Sequence, residues 1–253
     1  MRQGILIAAD QAAEDLIPWW WKNYSRFNDR PVAIVDFGMS EQSKVWCRKR
    51  MEVIPLQEQD SFVVPKDKIA PNRVEEWKGR YSGKLWRSRE AWFKKPMACL
   101  LSPFELSLWL DLDTEVCASL NILFAEWESG IELAIVRGEP WFSRYQIFNS
   151  GVFLFHQESS FLKEWNRLCQ EKNEAVMGDQ DILTELILEG KIPFKELSPL
   201  YNWLMFAGFR PGIVIAHWAC GWGKEYIKKF GGLQKLLKRK KLCRCLSSKA
   251  SSD

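Results

Sequence analysis

Residues 106–110, Leu-Ser-Leu-Trp-Leu, carry no charge, and Asp111 and Asp113 follow at once. A run with almost no polar position has no face to offer to water, so it suits a strand in a sheet covered on both sides. Residues 5–8 and 32–35 have the same character. Helical patterns lie between such runs, and this alternation is the signature of βαβ units and a largely parallel sheet. Further strands are predicted over residues 52–56, 133–136, 152–155 and 213–216. Helices are predicted from Pro18 onward, from an N-cap at Ser40 to residue 51, and over residues 89–101, 160–172 and 179–188. A helix is also expected to begin near Ser119. Residues 57–89 are charged, punctuated by Pro and Gly and weakly periodic, as in a long connection folding over a site.

With 253 residues, 47% of them hydrophobic, the chain can bury one substantial core, so a single α/β domain is the natural expectation. The amino terminus does not read as a secretory signal, and no apolar run is long enough to span a bilayer. Seven scattered cysteines without paired ligand spacing suit reduced thiols in a cytoplasmic protein. Charge is unevenly divided. Residues 223–253 hold ten Lys or Arg against Glu225 and Asp253, a balance of +8, whereas the whole chain is +4 and residues 1–222 are therefore −4. An acidic body argues against nucleic acid as a partner. The division expected is a domain over 1–222 and a basic amphipathic tail over 223–253.

Asp111 and Asp113 fall at the carboxyl end of a predicted strand, the edge where open α/β sheets bind ligands. Two carboxylates so close resist ionisation unless a cation or a set of donors sits beside them. A divalent metal is one remedy, and helix capping toward Ser119 is the other reading. His217 ends the apolar run 213–216 and is followed by Gly221, Gly223 and Lys224. Neutral imidazole ligates transition metals alongside carboxylates, while a structural histidine explains the same position. Glycines with a lysine suit a diphosphate. Asp179 and Gln180 open a predicted helix, either as caps or as groups orienting a sugar. Asn149 precedes the strand at 152–155, as a turn residue or a ligand contact. Trp218 and Trp222 beside His217, and Trp141 farther off, are the tryptophans most suited to stacking on a sugar or base.

The motifs LWLDLDTEV, FNSGVFLF, GDQDIL and AHWACGWGK, in this order, resemble those of GT-A fold glycosyltransferases, particularly the retaining family 8-like nucleotide-diphospho-sugar transferases. ILIAAD and the stretch leading into the paired aspartates are similar to the same enzymes. The resemblance implies a Rossmann-type, mostly parallel sheet flanked by helices. It also implies transfer of a hexose from a nucleotide-diphosphate sugar, a UDP-sugar by this likeness, to a glycan, lipid-linked or protein acceptor. By the same likeness Asp111, Asp113 and His217 would hold Mn²⁺ (or Mg²⁺), with Asp111 also touching the donor. Ala8 and Asp10 would meet the base and ribose, Lys95 and Lys224 the diphosphate, and Asn149, Asp179 and Gln180 the sugar and acceptor. Two departures stand out. The spacing from His217 through Gly221 to Lys224 is one residue looser than the family's, and no Pro-Trp follows Lys224.

Two rival readings share some of these residues. HAD-type phosphohydrolases also use Asp-x-Asp, but near the amino terminus and with Thr or Val where this chain has Glu115. A GT-A module that binds nucleotide sugar without turnover is the other. The tail mixes cations with apolar residues at helical spacing, so it can lie on an anionic membrane surface or pack on the domain. Gly231-Gly232 is expected to break it. Cys243 and Cys245 are conceivable acylation sites.

Overall fold

A computed structural model describes residues 1–56, 62–78, 85–138 and 148–238. Trp141, Cys243, Cys245 and the cations beyond residue 238 lie outside them. Three largely apolar strands lie side by side and buried, β1 (Gln3–Ala9) in the middle with β2 (Val32–Asp36) and β4 (Leu106–Leu110) on either side. Alternate side chains serve opposite layers. Ile5, Ile7, Val32, Ile34, Leu106, Leu108 and Leu110 enter one core. Leu6, Ala33, Val35 and Trp109 enter the other. This is why these runs lack the polar alternation of a half-exposed strand.

The main sheet has seven strands in the order β3-β2-β1-β4-β7-β6-β8, completed by β3 (Glu52–Pro55), β6 (Leu133–Arg137), β7 (Phe148–His156) and β8 (Phe194–Leu197). The β1–β2, β1–β4, β2–β3 and β6–β8 pairs are parallel. Only β7 runs against its neighbours. A second sheet joins β5 (Thr114–Val116), β10 (Ile215–His217) and β9 (Trp203–Leu204).

The predicted helices are present with shifted ends. They are α1 (Ile17–Tyr24), with Pro18 in its first turn, and α2 (Glu41–Arg48), where the Ser40 hydroxyl accepts from the Ser43 N–H. In the long connection the described residues form α3 (Pro71–Lys78), whose Val74 and Trp77 pack with Ile69 and Met177. It carries structure of its own, contrary to the weak periodicity. α4 (Leu85–Leu100) begins earlier than expected, and α5 (Asn121–Phe124) is a single turn. α6 (Ser160–Lys172) and α7 (Asp179–Leu188) follow as read from sequence. α8 (Cys220–Phe230) closes at Gly231, and residues 233–238 are helical again. No described helix is long and apolar enough to cross a membrane.

Candidate functional site

β1 and β4 end at the same sheet edge, and because β7 is reversed, its opening residues Asn149, Ser150 and Gly151 arrive there too. The Asp111 N–H donates to the Gly151 carbonyl at 2.9 Å, which locks the two together. The first turn of α7 and the end of β10 complete a cavity of about 490 Å³. Ala8, Asp10, Lys95, Asp111 and Asp113 all line it. So do Asn149, Asp179, Gln180, His217 and Lys224. These ten residues, singled out from sequence, therefore face one space.

Lys95 is the hub of one half. It reaches in from α4 with its side chain 5% exposed, and its ammonium donates to the Ser150 carbonyl (2.9 Å) and hydroxyl (3.0 Å). It also lies 3.2 Å from Asp111 Oδ1 and 3.6 Å from Asp179 Oδ2. Burial opposes its charge, but Asp111 and Asp179 outweigh burial and raise its pKa, so it stays cationic. Burial likewise pushes the Asp179 carboxyl up, against the pull of Lys95 and the hydrogen bond from Ser150 Oγ at 2.7 Å. The capping duty at the start of α7 falls to Asp181, which accepts from the Met177 and Gly178 N–H groups, each at 3.0 Å. Asp179 is thereby released toward Lys95.

The other half contains Asp111, Asp113 and His217, with one ligand atom from each lying within 4.8 Å of the others. The protonation of His217 follows from a chain of hydrogen bonds. The Gly151 backbone N–H can only donate, so Asn149 Oδ1 accepts it (2.9 Å). That oxygen also accepts from Asn202 Nδ2 (2.9 Å), which turns Asn202 Oδ1 toward His217 Nδ1 at 2.8 Å. His217 Nδ1 therefore carries a proton, and in the neutral ring Nε2 has a bare lone pair. It points at Asp113 Oδ1, 3.2 Å away. Two acceptors facing each other in a buried place are reconciled by a cation, a proton on Nε2 or a metal ion, and the carboxylate and imidazole set suits a divalent transition metal. The residues present fit such an ion. Asp111 joins with the oxygen that Trp109 Nε1 (2.8 Å) and Lys95 do not engage. Burial opposes ionisation of Asp113, but the Lys224 charge and, when no metal is bound, an imidazolium His217 donating to it prevail and hold its carboxyl at about 2.

Asn202, Ser150 and Trp109 escaped the sequence reading. Asn202 and Ser150 act through contacts with residues distant in the chain, and Trp109 read only as part of the buried strand. Trp218 corrects an expectation. Its indole is buried, stacked on Tyr226 at 4.7 Å between centroids, and its N–H donates to Glu115, so it has no face for a sugar. Trp222 is 43% exposed on the surface.

No family model matches the chain, and no curated protein matches its sequence. Solved structures do match by shape. The glycosyltransferase GlyE of Streptococcus pneumoniae TIGR4 superposes with a TM-score of 0.60 at 18% identity, over 87% of this chain. The chain spans 55% of the length of GlyE. An active-site variant of LgtC gives 0.56 at 17% identity, over 89% of this chain and 94% of the other. Mouse xyloside xylosyltransferase 1 gives 0.52 at 17%, over 85% and 97%. The chain has the GT-A fold.

Within that GT-A frame the looser histidine loop has a structural explanation. Cys220, three residues after His217, takes a left-handed φ of 74°, a conformation that glycine adopts without strain. Gly223 is needed one turn later, because a Cβ there would sit 1.9 Å from the Trp218 carbonyl oxygen. Lys224 is thus carried back to the cavity, 3.9 Å from Asp113 Oδ2. Gly151 answers a similar need, since a Cβ on it would lie 2.3 Å from His217 Cε1. Gly151→Ala is expected to weaken divalent metal binding about tenfold by displacing the imidazole, with the sheet intact. Calorimetric titration with Mn²⁺ checks it, and wild-type affinity would show that the ring has room.

Proposed function

We propose that the protein is a glycosyltransferase that moves a hexose from a nucleotide-diphosphate sugar, a UDP-sugar, to a glycan, lipid-linked or protein acceptor, dependent on Mn²⁺ or Mg²⁺. The observation that carries this reading is the facing pair of acceptors, Asp113 Oδ1 and His217 Nε2, beside Asp111 at a sheet edge opening on a ligand-sized cavity. The GT-A fold supports it. One structure of LgtC is of a galactosyltransferase with donor and acceptor sugar analogues bound, which is the precedent for both substrates sharing such a site.

In this reading Ala8 and Asp10, at the end of β1, receive the base and ribose, with Phe37 lining the same cavity. A divalent cation held by Asp111, Asp113 and His217 would supply charge stabilisation to the departing diphosphate. Lys224 adds a second positive charge on the phosphate side. Lys95 fixes Asp111 and Asp179 relative to each other, so that the diphosphate and sugar ends of the donor meet preset partners. Asp179 and Gln180 lie where a cation-like sugar needs carboxylate and amide oxygens. Asn149 orients Gln180 through its amide at 3.4 Å. The transfer is read as retaining, and NMR of the product anomeric carbon tests that, with inversion as the contrary result. The transferase domain of residues 1–222 would act in the cytoplasm with α8 and Leu233 packed on it, and the cations of 223–253 other than Lys224 would meet an anionic membrane surface.

The test is nucleotide-diphosphate release from a panel of nucleotide sugars, with Mn²⁺ and with EDTA. Metal-dependent release from one donor is expected, because slow donor hydrolysis needs no acceptor. UDP binding without release from any donor would favour a non-catalytic module. Phosphate release from simple esters would favour a phosphohydrolase, although here the aspartates close β4, not the first strand.

A further inference from the structure

Glu115 lies in β5, two residues after Asp113, and is fully buried. A carboxylate there is costly unless donors surround it. Three do. Trp218 Nε1 donates to Oε2 at 3.0 Å, the Leu233 N–H to the same oxygen at 2.6 Å, and the Gln234 N–H to Oε1 at 2.9 Å. The last two are the free backbone donors at the start of the helical segment 233–238, which a carboxylate is well suited to cap.

The approach depends on glycine. Gly231 and Gly232 take φ of 78° and 87°, and a Cβ on Gly232 would sit 2.4 Å from Glu115 Oε2. Ile227 and Leu233 are buried in the same core, and Trp19 donates to the Gly231 carbonyl at 3.3 Å. The carboxylate is also coupled to the metal ligands. The Trp218 backbone N–H donates to the Asp113 carbonyl at 2.9 Å, and the β5–β10 register sets Thr114 opposite His217 and Glu115 opposite Ala216. One buried side chain therefore joins three parts of the chain: the strand after the aspartates, the residue after the histidine, and the C-terminal helix start.

We propose, resting on the metal-dependent reading above, that Glu115 is a positioning residue for the metal site and that Leu233 and Gln234 hold it in place from the C-terminal segment. The segment past Gly231 then supports the metal site through Glu115 and is not itself a ligand of the ion or the donor. Undocking it leaves Glu115 with the Trp218 indole in place of three donors and loosens the β5–β10 pairing that sets His217 against Asp113.

The experiment uses the full chain as wild type, Glu115→Gln and Gly232→Ala. Mn²⁺ affinity is measured by paramagnetic resonance titration with UDP present, and thermal melting establishes that each variant is folded. Glu115→Gln turns one acceptor into a donor against a backbone N–H, and Gly232→Ala pushes the helix start off the carboxylate from the opposite side. Both are expected to raise the Mn²⁺ dissociation constant about tenfold. Donor turnover at saturating Mn²⁺ should recover the wild-type kcat. Unchanged Mn²⁺ affinity in a folded variant would overturn the proposal, whether or not kcat falls, because a merely structural role lowers the active fraction without moving metal affinity. If Glu115→Gln fails to fold, Gly232→Ala decides by the same criterion. A wild type with no Mn²⁺ affinity would instead remove the metal-dependent reading itself.

Discussion

Asp113→Asn should abolish metal-dependent donor turnover, by on the order of a thousandfold, while leaving the protein folded. The backbone carbonyl that Trp218 engages is unchanged, and the asparagine amide can present a donor to His217 Nε2 where the wild type presents an acceptor. Without metal the variant loses the attraction to Lys224 and His217 that holds the Asp113 carboxyl low, so it should melt lower than wild type. The gap should widen when metal is added. A ligand at about a hundred times its dissociation constant stabilises a protein by about 2.7 kcal/mol, so wild type should melt at a clearly higher temperature with Mn²⁺ and UDP. The variant should not. Thermal melts with and without metal, beside the turnover assay, check both halves, and an equal metal-induced shift in the variant would contradict the assignment of Asp113.

The second large effect is expected at Lys95. Lys95→Met should cost about 3–5 kcal/mol of folding stability, because it strands two carboxylates whose partner was buried. Asp179 is as buried as Lys95, with its side chain 4% exposed, and Ser150 alone cannot replace the lost cation. The pH dependence has a definite sign. Asp179 already has a raised folded pKa, from burial first, and removing the Lys95 charge raises it further. An acid with a raised folded pKa contributes stability that is fully present below its unfolded value of about 3.9 and lost as pH rises through the folded one. The deficit of Lys95→Met relative to wild type should thus be smallest in acid and grow toward neutral pH. Urea unfolding of both proteins at pH 4.5 and 7.5 measures it, and a deficit independent of pH would show that Asp179 is not stranded by the loss of Lys95.

The sequence carried the parts of this arrangement that local pattern encodes. Strands β1, β2 and β4 were legible because both of their faces are buried, and the Asp111–Asp113 pair because its charges follow such a strand without a break. Strands β5, β8 and β9 were not, since they are two to four residues long and read as Thr-Glu-Val, Phe-Lys-Glu-Leu and Trp-Leu, with no period to detect. The reversal of β7 is also invisible locally, although it is what brings Asn149 and Gly151 to the site. The supporting polar groups were lost for a related reason. Asn202 sits 53 residues from Asn149, and Glu115 lies 118 and 119 residues from the donors at Leu233 and Gln234. Glu115 demands donors from elsewhere because it is fully buried, but nothing in the three residues Thr-Glu-Val announces that burial.

The central claim is that Asp111, Asp113 and His217 hold one divalent cation against a nucleotide diphosphate. Crystals of the protein grown with Mn²⁺ and UDP, with diffraction collected at the manganese absorption edge, test it most directly. The account predicts a single anomalous peak bonded to a carboxylate oxygen of each aspartate, to His217 Nε2 and to the diphosphate. UDP bound in the cavity with no manganese at this triad, or manganese ligated elsewhere, would contradict it.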